Sequence, residues 1–138
     1  MSDHNLGKKV GKYVLTKFLG AGQFGQVYLC NNNEDGKEYA CKLIEKKKLN
    51  NPILHDMLKS EVAIMQKIHH RNVIHLFDFL QSGSNYYLIM QVCNNGDIRK
   101  YLEKIGKSHF DENEAVYFLQ QISLGFKELH RYKVNFSY

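Results

Sequence analysis

The chain has no tryptophan, a single proline (Pro52) and only three cysteines in 138 residues. Cys30, Cys41 and Cys93 are odd in number, lack Cys-x-x-Cys spacing and fall far below the density of a secreted disulfide scaffold, so reduced thiols are expected. Long apolar runs are missing too. Stretches such as residues 86–90 last a few positions, where a membrane span needs about 20. Residues 1–9 are polar and contain nothing like the apolar centre of a secretory signal. The expectation is a cytoplasmic protein without a membrane span. The seven histidines include no pair four apart, and His69, His70 and His75 fall where a helical pattern gives way to a strand, so no metal site is expected.

What is present is ordinary globular material. With 43% hydrophobic and 24% charged residues, disorder is not the default, and the length suits one domain better than two. A net charge of +5 would admit an acidic partner. The excess lysines, however, are spread over Lys8, Lys9, Lys12, Lys46, Lys47 and Lys48 without the patterns of RNA-binding or zinc-finger modules. They read as a solvated face, with no nucleic acid partner.

Residues 13–19 are rich in strand formers and run into Gly20; residues 26–30 read as a second strand, and the Asn, Asp and Gly of 31–36 as the turn after it. Residues 38–45 make a third strand. Asn51 before Pro52 is a helix start, because Asn can cap free N–H groups and Pro in the first turn loses no hydrogen bond. A helix is expected to about Ile68, with Leu54, Leu58, Val62, Met65 and Ile68 recurring every three or four residues. Two more strands follow, at 73–80 and 86–92. Residues 97–105 then turn helical and end at Gly106. Asp111 with Glu114 opens a longer helix as an acidic capping box, and Ala115, Phe118, Leu119, Ile122, Phe126 and Leu129 give it one apolar face.

Three features carry chemistry. Gly20, Gly22 and Gly25, with Val27 two residues on, form G-x-G-x-x-G-x-V. The same glycines can open a dinucleotide-binding fold, where they feed a helix; here they lie between two strands and must fold over phosphates as a flap. Ala40 and Lys42 alternate onto one face of the third strand, leaving room for a flat base while the lysine reaches phosphate. Glu61, on the inserted helix and off its apolar stripe, is the counter-ion that would hold that lysine.

In this order and at these spacings, Gly20, Gly22, Gly25, Val27, Ala40, Lys42 and Glu61 resemble the N-terminal lobe of Ser/Thr protein kinases. The resemblance covers residues 13 to about 134. It implies an α+β, protein-kinase-like fold: a five-stranded antiparallel sheet with one inserted helix, then two helices of a truncated helical lobe. Residues 1–12 would be a tail, 13–93 the first lobe and 94–138 the end of the hinge and first helices of the second. By resemblance, Leu19, Val27 and Ala40 sandwich an adenine, Met90 stands behind it as gatekeeper, main-chain groups of Gln91 and Cys93 bond its edge, and Asp97 faces the ribose. Met65 and Leu76 match positions of the hydrophobic spine. Residues 110–115 and 118–122 look similar to the autophagy-initiating kinases.

The resemblance implies ATP as the bound nucleotide, magnesium in the complete enzyme, and a protein substrate. The family's His-Arg-Asp and Asp-Phe-Gly are absent from the 138 residues, which after the long helix read Arg131, Tyr132, Lys133, Val134 and then Asn135, Phe136, Ser137, Tyr138. No catalytic aspartate and no metal ligand is therefore expected, and the reading is a truncated or incompletely represented kinase, inactive as it stands. The alternatives are a kinase-like binding module that acts by contact and, on the glycines alone, a dinucleotide-binding domain.

Overall fold

Strand-forming runs punctuated by turn residues account for the first two-thirds of the chain, and two capped helices for the rest. The structure, a computed structural model, describes residues 4–22 and 25–133. Its elements are β1 (Lys9–Val10), β2 (Tyr13–Gly22), β3 (Gly25–Asn32), β4 (Glu38–Glu45), a 3-10 turn at Lys46–Lys48, α1 (Pro52–Met65), β5 (Leu76–Gln81), β6 (Asn85–Met90), α2 (Ile98–Lys104) and α3 (Glu112–Arg131). They divide into two compact units. One takes the chain up to Lys67 together with His75–Val92; the other takes Ile68–Ile74 and the chain from Cys93 on.

The first unit is an antiparallel sheet in the order β1-β2-β3-β4-β6-β5. It has six strands where five were expected. The extra one, β1, lies in the stretch read as a tail, and pairs Lys9 with Val14 and Val10 with Tyr13. Gly11, at φ 58°, supplies the left-handed residue that so tight a turn requires. Strand β4 has the expected bounds. Strand β5 begins at Leu76 and not at residue 73, because Val73 N–H closes a turn onto the His70 carbonyl.

Period-two alternation gives the sheet two apolar faces. On one, Val10, Tyr13, Leu15, Tyr28, Cys30, Cys41, Leu43, Tyr87 and Ile89 form a buried cluster. On the other, Ile44, Leu76, Tyr86 and Leu88 pack with Val62 of α1, and Leu58, Met65 and Met90 lean on them. Met65 and Leu76 thus share one cluster, as the spine resemblance implied. Asn51 accepts from Ile53 N–H at 2.9 Å and caps α1. The helix stops at Met65, so Ile68, expected on its stripe, is buried beyond the helix as part of the second unit.

In the second unit Asp97 caps α2 by accepting from Lys100 N–H at 2.9 Å. Both bonds of the expected capping box form at α3: Glu114 N–H donates to Asp111 at 2.9 Å, and Asp111 N–H to Glu114 at 3.1 Å. The segment before β5 is tied to α3. Asn72 Nδ2 donates to Gln121 Oε1 at 3.0 Å, and a Cβ on Gly125 would sit 2.7 Å from the Asn72 carbonyl oxygen. This contact draws Ile68–Ile74 out of the first unit in sequence and into the second in space. Gly125→Ala is therefore expected to lower the stability of the helical unit by about 1–3 kcal/mol through overpacking, read as a lower thermal midpoint for α3 amide exchange, although alanine is the better helix former. The apolar face of α3 is largely open, with Leu119 64%, Ile122 43% and Phe126 54% exposed.

Candidate nucleotide-binding site

Gly20 and Gly22 end β2 and Gly25 begins β3, so the glycines occupy the closing end of a hairpin between two strands, with Gly22 opposite Gly25. Gln23 and Phe24 at its tip lie outside the described residues. The three glycines are not equivalent. A Cβ on Gly20 or Gly22 would meet nothing within 4 Å, and neither has a positive φ, so the fold alone does not require glycine there. A Cβ on Gly25 would be driven into the Leu43 carbonyl of β4. The third glycine is demanded by strand packing, whereas at the first two the space a side chain would fill is left clear for close approach by a ligand.

Pairing register places the remaining candidates of the first unit. Gly20 is opposite Val27, Val27 opposite Lys42, and Lys42 opposite Leu88, giving one row across four strands. The next row runs Leu29, Ala40, Met90, Leu76. Directly paired residues share a face, so Val27, Ala40, Lys42 and Met90 stand together on the face that also packs α1. Ala40 is buried, while Lys42 and Met90 are half-buried. Leu19, 43% exposed, sits at the register shift between Phe18 and Gly20. Gln91 donates its N–H to the His75 carbonyl at 2.9 Å, leaving its carbonyl as the main-chain group that can serve a ligand.

Glu61 and Lys42 are brought to the same side of the sheet but not into contact. No ion pair within 4 Å joins them among the described residues. Burial raises the Glu61 carboxyl above the ordinary carboxylate range, and the nearby Lys42 charge only partly opposes this. Because the folded state then holds the proton more tightly than the unfolded one, stability falls as pH rises from the ordinary carboxylate value through the raised one, and the cost persists above it. Glu61→Gln should remove that dependence and leave stability at neutral pH unchanged or slightly higher, within about 0.5 kcal/mol. Urea unfolding at pH 4 to 7 checks this; a loss of stability at neutral pH would mean that the carboxylate is already paired.

Cys93 and Asp97 belong to the helical unit. Cys93 is exposed, and its carbonyl accepts from Gly96 N–H at 3.4 Å. The cap formed by Asp97 is a role that its resemblance to a ribose contact did not disclose, although an aspartate directly before a helical run is the usual signal for one. Leu88 was also missed: it lies beside Lys42 in a run of six strand residues with nothing polar to single it out.

Among the described residues, no three of His, Cys, Asp or Glu gather where they could hold a metal ion, and none of the helices is long and apolar enough to cross a membrane. The side chains of the described residues do not make a magnesium site.

Residues 13–137 match the family model for the protein kinase domain. The chain is 34% identical over 120 residues to the serine/threonine-protein kinase ATG1a of Arabidopsis thaliana, a stretch covering 87% of this chain and 19% of the relative. It is 30% identical over 130 residues to the serine/threonine-protein kinase PLK4 of Danio rerio, covering 94% and 14%, and 30% identical over 118 residues to serine/threonine-protein kinase 33 of Mus musculus, covering 86% and 23%. The chain thus spans less than a quarter of the length of each. The antiparallel sheet with its packed helix, the glycine hairpin in line with Lys42, and a family match over 13–137 place this chain in the eukaryotic-type Ser/Thr protein kinase family.

Proposed function

We propose that the first unit binds ATP and that the chain is the nucleotide-binding portion of a kinase that transfers phosphoryl groups to protein Ser or Thr, without turnover of its own. The observation that supports this best is the row Gly20, Val27, Lys42. At roughly 4.8 Å per strand, it sets a glycine without neighbours at its Cβ position about 10 Å from a half-buried lysine on one sheet face. The side-chain-free hairpin at Gly20 and Gly22 lies over the phosphates, and Lys42 neutralises their charge. Val27 and Ala40 flank the base with Leu19, Met90 lies behind it, and the Gln91 carbonyl accepts from its edge. Glu61 comes into play when phosphate draws Lys42 into place.

Phosphoryl transfer relies on positioning and on neutralising charge at the transferred group, with metal ligands and a base near the acceptor hydroxyl supplying much of both. The residues of this chain hold and orient the nucleotide; neither His-Arg-Asp nor Asp-Phe-Gly occurs among them. Calorimetry should find saturable, weak ATP binding that differs little with and without magnesium, and a radiolabelled transfer assay should find no phosphorylated acceptor. Strong magnesium dependence, or label in the acceptor, would overturn the proposal. The open apolar face of α3 favours a second reading, a module that acts by contact. That reading requires a specific partner whose binding is lost in Leu119→Asp.

A further inference from the structure

Helix α1 is thinly held. Of its 14 residues only Val62 is buried, and Ile53, Leu54 and Met57 in its first two turns are exposed. The hold on this half therefore rests chiefly on Leu58, which leans on the sheet cluster, and on His55. The His55 ring spans two neighbours: Nε2 lies 3.0 Å from the Leu49 carbonyl, and Nδ1 3.0 Å from the Tyr86 hydroxyl of β6. A carbonyl only accepts, so the bond to Leu49 puts the proton of the neutral ring on Nε2, and Nδ1 then accepts from Tyr86. His55 thereby bolts the first turn of α1 both to the segment that enters it and to the sheet. Its anchor is itself fixed. Tyr86 is 3% exposed, stacks on Phe79 at 5.5 Å, and lies 4.7 Å from the Lys46 ammonium, which donates to the Ser82 carbonyl at 2.6 Å. His55 meets the same ring by its edge at 5.7 Å.

We propose that the bond between His55 and Tyr86 is a positioning latch for Glu61, holding α1 where that carboxylate can meet Lys42 once phosphate has drawn the lysine in. Glu61 is six residues beyond His55, roughly 9 Å along the helix axis, and adjoins Val62, the residue sunk into the sheet cluster. A helix pinned at one point can swing about it. Pinned at Val62 and again at His55, α1 has a fixed direction, and the cost of ordering Glu61 is kept out of the binding step. Tyr86 pairs with Ile44, two residues along β4 from Lys42 and on the side away from Ala40, so the latch acts through Glu61 and not on the base. This role rests on the proposed nucleotide site; the fixing of α1 does not.

The test compares the 138-residue chain with Tyr86→Phe, which removes the hydroxyl and keeps the ring against Phe79 and Lys46, and with His55→Leu, which removes both bonds. Calorimetry should show ATP binding weakened about threefold in each, adenosine binding changed less than about 1.5-fold, and no further weakening when Tyr86→Phe is added to Glu61→Gln. Equal loss of ATP and adenosine affinity, or a loss that adds in full to that of Glu61→Gln, would overturn the latch, because a general loosening of the sheet does not act through one carboxylate. Titration of the Glu61 side-chain carboxyl by carbon NMR reads the same positioning without nucleotide. Burial holds that carboxyl above its ordinary range, so in both variants, with α1 released and the group better hydrated, it should titrate at lower pH than in the parent chain. An unchanged titration would overturn the latch. A parent chain that binds no ATP would overturn the nucleotide site instead, and the Glu61 titration then decides the latch by itself.

Discussion

Gly25→Ala should destabilise the first unit by about 3 kcal/mol or more, while Gly20→Ala and Gly22→Ala leave its stability within about 0.5 kcal/mol. At Gly25 the new methyl group is aimed at the main-chain carbonyl of Leu43, which cannot turn aside as a side chain could. Accommodating it means pushing β4 away from β3 where Gly25 pairs with Ile44 and Gln26 with Leu43, at the end of the pairing that carries Lys42. At Gly20 and Gly22 the methyl group enters open space at an ordinary φ, and the lower entropy of the unfolded chain can even favour alanine. Urea unfolding of the three variants separates the cases, since a loss of this size lowers the midpoint by about 1–3 M for a domain of this length. Nucleotide affinity should behave the other way round, with Gly20→Ala and Gly22→Ala weakening ATP binding in a fully folded protein. Three equal midpoints would show that Gly25 has room after all and that all three glycines serve the ligand.

A second large effect is expected at Lys42. Charge-assisted hydrogen bonds to phosphate contribute about 1.5–3 kcal/mol, so Lys42→Met should weaken ATP binding about 10- to 100-fold while changing adenosine binding less than twofold. Methionine keeps most of the aliphatic stem that packs on the sheet. Lys42 forms no ion pair within 4 Å among the described residues, so the fold itself should lose less than about 1 kcal/mol. Calorimetry with ATP and adenosine, beside urea unfolding, distinguishes the outcomes. Parallel loss of both affinities would make the lysine a structural residue and remove the main support for the proposed phosphate contact.

Local chemistry made much of the fold legible. Asn51 and Pro52 announced α1, Asp111 and Glu114 announced α3 with both capping bonds, and alternation over 38–45 marked β4 to the residue. The glycines, Ala40 and Lys42 could be found because their chemistry is unusual for their positions. Strand β1 was less visible: two residues carry no periodicity, and only Gly11 hinted at a turn. The end of α1 was misjudged by about three residues because Ile68 continues the helical spacing while its burial belongs to another contact. The excess lysines, read as a solvated face, are partly tied down: Lys12 pairs with Glu34 at 3.1 Å, and Lys46 is fastened to Ser82.

Residue type and spacing by themselves determined the kinase resemblance, the helix starts, the strand faces and the chemistry available to a nucleotide, because each depends on neighbours within a few positions along the chain. Tertiary structure alone decided which glycine is there for packing, since the Leu43 carbonyl approaches Gly25 from a strand 18 residues away. It also decided that Glu61 and Lys42 share a side without pairing, because the distance between them follows from how α1 seats on Ile44, Leu76 and Leu88. The assignment of Ile68–Ile74 to the helical unit has the same origin: Asn72 finds Gln121 and Gly125 about 50 residues downstream, and no local pattern encodes a contact of that range.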